Sequence, residues 1–237
     1  MKKFMLACLL LMGVLILQSC GDDDLVSISP EKSGIMTDKE GNEYKWVRLG
    51  NLDWMAENLK CGTPFYEKTT INASGKVKPL VEYGLLEEVQ GYAKNFGNYY
   101  TFQEALDYCP EGWRLPTDED WKKLERLLGM ASKDVDKEGW RSGAADLMIQ
   151  KQEQGTGLEL RYGGELCKWG WMSSANEQVR PYRQYEFGMY WSSTKDDNQA
   201  NECVWYRKIM YGKNEVERRS TTTFAHHLSV RYVRDVE

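Results

Sequence analysis

The chain has 237 residues, with 31 basic and 36 acidic side chains, a formal charge of −5 and an aromatic fraction of 12%. No basic patch of the kind that nucleic acid needs interrupts this acidic balance, which argues against that partner class. Two histidines leave little material for a histidine-based triad.

In chain order, Lys2 and Lys3 precede an apolar run, Phe4 to Leu17, which ends in Leu17-Gln18-Ser19-Cys20. A basic start, a short apolar stretch and small residues before a cysteine describe a secretory signal, too short and wrongly flanked for a spanning helix. The ending resembles a bacterial lipobox, which implies thioether lipidation of Cys20 and removal of residues 1–19. Two or three acyl chains, at roughly 0.8 kcal/mol per buried CH₂, would tether the protein stably. Loss of Lys2 and Lys3 from the 31 basic residues leaves 29 against 36 acidic, a charge of −7. Gly21-Asp22-Asp23-Asp24 reads as a solvated acidic linker. It also resembles the acidic export signal of Bacteroidetes lipoproteins, which would place the protein on the outer face of the outer membrane. Residues 20–33 are thus a lipidated acidic linker, and 34–237 are long enough for one core with large loops. Beyond Cys20 lie Cys61, Cys109, Cys167 and Cys203. Disulfides and free buried thiols are both open to them, and no spacing suits zinc.

Residues 34–50 have the pattern of a hairpin turning at Lys39–Asn42, and Leu52–Leu59 reads as a short strand with a polar exit. Residues 61–98, interrupted by Gly62, Pro64, Gly75, Pro79, Gly84, Gly91 and Gly97, predict irregular surface structure. Thr101-Phe102-Gln103-Glu104 is a capping box opening a short helix, with Ala105, Leu106 and Tyr108 available for burial. The best-specified stretch follows, Cys109–Gly129. Pro116 disfavours helix at Leu115, Thr117 caps, and Asp120 completes an acidic capping box. Trp121, Leu124, Leu127 and Leu128 form one stripe, and Gly129 stands where a C′ glycine belongs. Residues 130–157 are polar, with a short helix at Ala144–Gln150. Strands are expected at Gly157–Gly164, Gly188–Thr194, Cys203–Tyr211 and Leu228–Val233, the last alternating Leu228, Val230 and Tyr232 against Ser229 and Arg231. Trp113, Trp121 and Trp191 are expected in the core.

Asp38–Tyr44 (DKEGNEY), Gly50–Leu59 (GNLDWMAENL), Cys109–Asp118 (CPEGWRLPTD), Tyr190–Thr194 (YWSST) and Ser229–Arg231 (SVR) occur in one order. Together these landmarks resemble the Fibrobacter succinogenes major paralogous domain family, from about residue 34 to 235. The Gly112–Trp121 block and the closing Ser-Val-Arg are similar to elements of C-type-lectin-like folds, including the formylglycine-generating branch. The resemblance implies an α+β fold, two helices packed on twisted antiparallel strands with long loops and termini close together. It carries no established enzymatic activity. Family members commonly continue Ser-Val-Arg into cysteine, where this chain has Tyr232. If that cysteine pairs with the one in the Cys-Pro-x-Gly-Trp block, Cys109 has lost its partner, leaving Cys203 or a free thiol.

Calcium-dependent sugar binding in C-type lectins uses Glu-Pro-Asn or Gln-Pro-Asp with Trp-Asn-Asp, and none of these is present. Asp196-Asp197-Asn198 is a candidate calcium loop or a solvated turn. Adjacent His226 and His227 point to opposite strand faces, one buried and one exposed, and share no metal. Ser192 and Ser193 suit backbone bonding, and the helix cap already explains Glu119 and Asp120. Cys167 and Cys203 do not stand in the motif of the copper-dependent, cysteine-oxidising branch. The stronger candidates lie in the excursion 165–187: Trp169, Trp171, Arg180, Tyr182, Arg183 and Tyr185. Aromatic faces stack on sugars and arginine forks grip hydroxyls or acids, although the two tryptophans would equally suit a strand core. The expectation is a non-enzymatic, outer-membrane, surface-exposed module, held to the membrane by its lipid, needing no metal or cofactor, and binding a glycan or surface protein. The alternatives are an assembly subunit of an envelope complex or an enzyme of the formylglycine-generating type.

Overall fold

The computed structural model describes residues 28–72, 74–82, 84–168, 178–199 and 202–236. The chain opens with β1 (Ser33–Thr37), β2 (Glu43–Leu49) and β3 (Leu52–Met55). The β1–β2 turn is built on Asp38, whose carboxylate accepts from the Glu40 and Asn42 amides and from the Tyr44 hydroxyl at 2.7–3.0 Å. This is the hairpin the sequence predicts.

Residues 61–98 depart from expectation. They hold a small hairpin, β4 (Thr69–Ile71) with β5 (Val77–Pro79), and an eleven-residue helix α1 (Leu86–Phe96). Leu85 at the helix start offers no side-chain cap, so local signals are silent. Instead Val89 is buried in a small core with Phe65, Val81, Tyr99, Leu166 and Val179, with Leu85 and Tyr92 packed against it. Packing of an apolar face makes this helix.

Both capping boxes form. Thr101 caps α2 (Phe102–Asp107) and Thr117 caps α3 (Asp118–Leu127), with the Glu104 and Asp120 carboxylates returning to the cap amides. Leu106 and Leu127, expected to be buried, remain 41% and 42% exposed at the edges of their stripes. At the end of α3, Met130 N–H donates to Glu125 C=O at 2.9 Å and Gly129 N–H to Arg126 C=O at 3.1 Å, a Schellman closure. Gly129 has φ +98°, and an added Cβ would meet only an ordinary contact. Gly129→Ala should therefore lower stability by about 1–2 kcal/mol through backbone conformation alone. An unchanged urea midpoint would contradict this.

The remaining elements are β6 (Gly139–Ser142), α4 (Ala145–Met148), β7 (Glu165–Lys168), β8 (Val179–Tyr182), β9 (Phe187–Lys195), β10 (Cys203–Met210), β11 (Glu215–Thr222), β12 (His226–His227) and β13 (Val233–Asp235). Among the described residues there are four α-helices, not two, on mostly antiparallel sheets of order β1-β2-β3-β13, β6-β11-β10-β9 and β12-β7-β8. The first and last strands share one sheet. The fold is α+β.

Gly157–Gly164, expected as a strand, forms no ladder apart from a bridge at Gly164. Its Leu158 and Glu159 carbonyls are taken by the Arg231 guanidinium rather than by a neighbouring strand. The closing segment also differs. Leu228 and Ser229 make isolated bridges, β13 begins only at Val233, and Ser229 and Arg231 are as buried as Leu228 and Val230. Strands β6 and β11 were not legible. The buried residues of β11 include Glu217 and Arg218, which read as polar.

Trp54 and Trp121 pack with ring centroids 4.9 Å apart and planes tilted by 56° in the main core. Trp191 is buried in a second cluster, whereas Trp113 is only half-buried there, with the Arg234 guanidinium 4.9 Å from its ring. The four cysteines among the described residues are free thiols; Cys61 is buried and Cys109, Cys167 and Cys203 are half-buried. An ion cluster fastens α3 to the central sheet. Glu125 binds Arg141 and Arg207 at 2.5–2.8 Å, and Asp118 binds Arg207 and Arg218 at 2.8 Å. Such a cluster sets register more than it adds stability.

Candidate binding cleft

A cleft of about 690 Å³ opens on the surface of the described residues. Its walls come from separate stretches: the end of α1, the tail of α4, the loop 159–162, the turn after β8 and the turn after β10. Phe96, Tyr162, Tyr185 and Tyr211 supply aromatic surface, while Arg161 and Lys151 supply charge.

The backbone is strained here. Among the described residues, left-handed φ outside glycine occurs only at Glu159 (48°), Arg183 (55°) and Tyr185 (69°). Glu159 and Tyr185 line the cleft, and Arg183 lies in the same turn as Tyr185. Such conformations cost of order 1–3 kcal/mol each and persist where the surroundings over-determine them. For Tyr185 those surroundings are explicit. Its N–H donates to Tyr162 C=O at 2.7 Å, its hydroxyl accepts from Asn95 Nδ2 at 2.9 Å, and its ring meets Phe96 edge-on at 4.9 Å. The ring remains 57% exposed. Across the cleft Tyr162 and Tyr211 pair edge-on at 5.7 Å, with Tyr211 73% exposed. Burial pushes the Tyr162 phenol above its ordinary range, so it stays neutral.

Behind the cleft sits Arg231, fully buried and in no ion pair among the described residues. Its Nε donates to Asn58 Oδ1 (2.6 Å), Nη1 to Met55 and Leu158 C=O (2.8 and 2.7 Å), and Nη2 to Glu159 C=O (2.6 Å). Asn58 Nδ2 in turn donates to Phe96 C=O at 2.7 Å and Ser229 Oγ at 3.2 Å. The Arg231–Asn58 pair thus holds the 158–159 loop and the end of α1 together, which sets the cleft's width. Gly97, with φ +81°, lets α1 end against Leu59, whose carbonyl a Cβ would approach to 2.7 Å.

Of the described residues singled out from sequence, Tyr185 alone lines this cleft. Arg180 on β8 makes a forked pair with Glu82. Tyr182 packs on Phe187, with the Arg183 guanidinium 5.4 Å from its ring, and Arg183 pairs with Glu186 at 2.8 Å. Trp169, Trp171 and Cys20 lie outside the described residues. Phe96, Tyr162 and Tyr211 were missed, because no spacing links them and only the fold gathers them. Asp196 accepts from the Asn198 amide within its loop and from Ser220 Oγ on β11 at 2.5 Å, so its carboxylate is already engaged. Among the described residues no three His, Cys, Asp or Glu side chains gather as a metal site. His227 is buried, and half-buried His226 contacts Glu165 on β7. Ser192 Oγ accepts from the Thr194 amide and Ser193 Oγ donates to Pro116 C=O.

Among known proteins, the family model described as the Fibrobacter succinogenes major domain matches residues 47–234. No curated protein and no solved structure matches the chain.

Proposed function

From the premise that this chain belongs to the Fibrobacter succinogenes major domain family, we propose that it is a non-enzymatic, cell-surface binding module whose cleft takes a glycan. The observation that carries the reading is the set of exposed Tyr185 and Tyr211 rings beside Phe96 and Tyr162, with Tyr185 itself held on strained backbone. Flat rings in a rigid cleft give sugar faces a stacking platform at low ordering cost, and Arg161, Asn95 and Lys151 line the same cleft as hydrogen-bonding groups. In this reading Cys20 carries the lipid and the acidic tract sends the protein to the outer face of the outer membrane. A C-type-lectin-like arrangement is supported by the shared sheet of first and last strands and by α2 and α3 in tandem.

The test is a broad glycan array probed with the full chain purified in detergent, with and without EDTA. Binding should be found, and Tyr185→Ala should weaken it about tenfold, the loss of roughly 1.4 kcal/mol of stacking. EDTA should leave it unchanged. Wild-type and Tyr185→Ala chains that bind equally would overturn the cleft as the site. A protein captured from envelope extracts by a chain that binds no glycan would overturn the glycan.

A further inference from the structure

The cleft does not end at Phe96. A second hollow, lined by Glu57, Lys60, Lys94 and Arg161, shares Asn95, Phe96 and Arg161 with it. A third, with Tyr66 and Gln90, shares Lys60 and Lys94 with the second. The three form one groove, aromatic at one end and basic along its length. Its carboxylates are already engaged. Glu57 is bound by Lys60 Nζ at 3.3 Å and by the Lys45 amide, and Glu159 by Arg161 Nη2 at 2.9 Å. Lys94 and Lys151 are exposed and make no ion pair among the described residues. Lys94 stands in the last turn of α1, where the helix dipole already favours a cation. Lys151 has no such explanation. A local surplus of positive charge on a chain of formal charge −5 is a field that selects an anion.

Resting on the cleft reading, we infer that the ligand is an acidic oligosaccharide. Its sugar faces stack on Tyr185 and Tyr211, and its carboxylate or sulfate groups meet Lys94 and Lys151. The attraction acts between exposed groups, so it is screened by salt.

Calorimetry with the full chain tests this using paired probes. A tetragalacturonate is compared with its carboxyl-reduced form, and a sulfated carrageenan tetrasaccharide with its desulfated form. At least one acidic probe should bind about tenfold tighter than its neutral partner, and the sulfated and carboxylated arms tell which anion is preferred. That preference should shrink to about twofold in the Lys94→Gln/Lys151→Gln variant, and in the wild type between about 50 and about 500 mM salt. Both lysines are exposed, so the variant should stay folded, its melting temperature lowered by no more than about 5 °C as Lys94 leaves the end of α1. Neutral and acidic probes binding equally, both weakened by Tyr185→Ala, would overturn the acidic ligand and leave the cleft reading intact. A preference undiminished in the double lysine variant would overturn the placement. Failure of every acidic probe to bind would overturn the inference, while the glycan array decides the cleft separately.

Discussion

Arg231→Met should destabilise the protein by about 3–5 kcal/mol. The substitution keeps the apolar length of the side chain but removes every donor that serves Asn58 Oδ1 and the Met55, Leu158 and Glu159 carbonyls. Each buried acceptor left without a donor costs about 1–3 kcal/mol. Relief from burying a guanidinium offsets part of that sum, for burial itself pulls the Arg231 pKa down to about 10. Arg231→Lys should cost at least about 2 kcal/mol, because an ammonium is a point charge and cannot span acceptors fixed around a planar fork. Urea denaturation measures both. Near-wild-type stability of the lysine variant would mean that charge, and not the fork, is what the site needs. Arg231 is a positioning residue, so the lysine variant, while still folded, should also lose glycan affinity as the 158–159 loop shifts. A structural role remote from the cleft would leave that affinity unmoved.

Asp118→Asn should cost about 3 kcal/mol and flatten the acid limb of the stability curve. Burial alone would raise the Asp118 carboxyl, but the Arg218 and Arg207 guanidiniums outweigh it and hold the group well below the usual carboxylate range. The unfolded chain has an ordinary aspartate near about 3.9. Stability from this depressed group is therefore fully present above that value and is lost as pH falls toward the folded pKa. Wild-type stability should drop steeply below about pH 4, and the asparagine variant should drop less over the same interval. Parallel curves for the two proteins would show that Asp118 titrates alike in both states. At neutral pH the loss comes from the arginines. Arg218 retains the Asp136 carbonyl and its stacking 3.6 Å from the Trp205 ring centre, Arg207 retains Glu125, and Lys122 also loses its Asp118 partner.

What the sequence determined by itself was whatever is decided within a few residues. Asp38, Thr101, Thr117 and Gly129 each do their work on amides or carbonyls close by in the chain, so the β1–β2 turn, both capping boxes and the close of α3 could be read directly. Only the tertiary structure decided the rest, because its determinants are distant. Helix α1 lacks a cap and exists by packing on Phe65 and Val179. Strand β11 presents charges inward, and they are tolerable because Arg218 meets Asp118 from 100 residues earlier and Glu217 meets Lys208 and Arg219. Arg231 reads as the solvent side of an alternating strand until Asn58, 173 residues earlier, supplies an acceptor. The cleft follows the same logic. Tyr185 was legible as an aromatic in an excursion rich in Trp, Tyr and Arg, but Phe96, Tyr162 and Tyr211 become a surface only when these long-range bonds bring their segments together. Burial of a polar group depends on its partner, and the partner's proximity belongs to the fold.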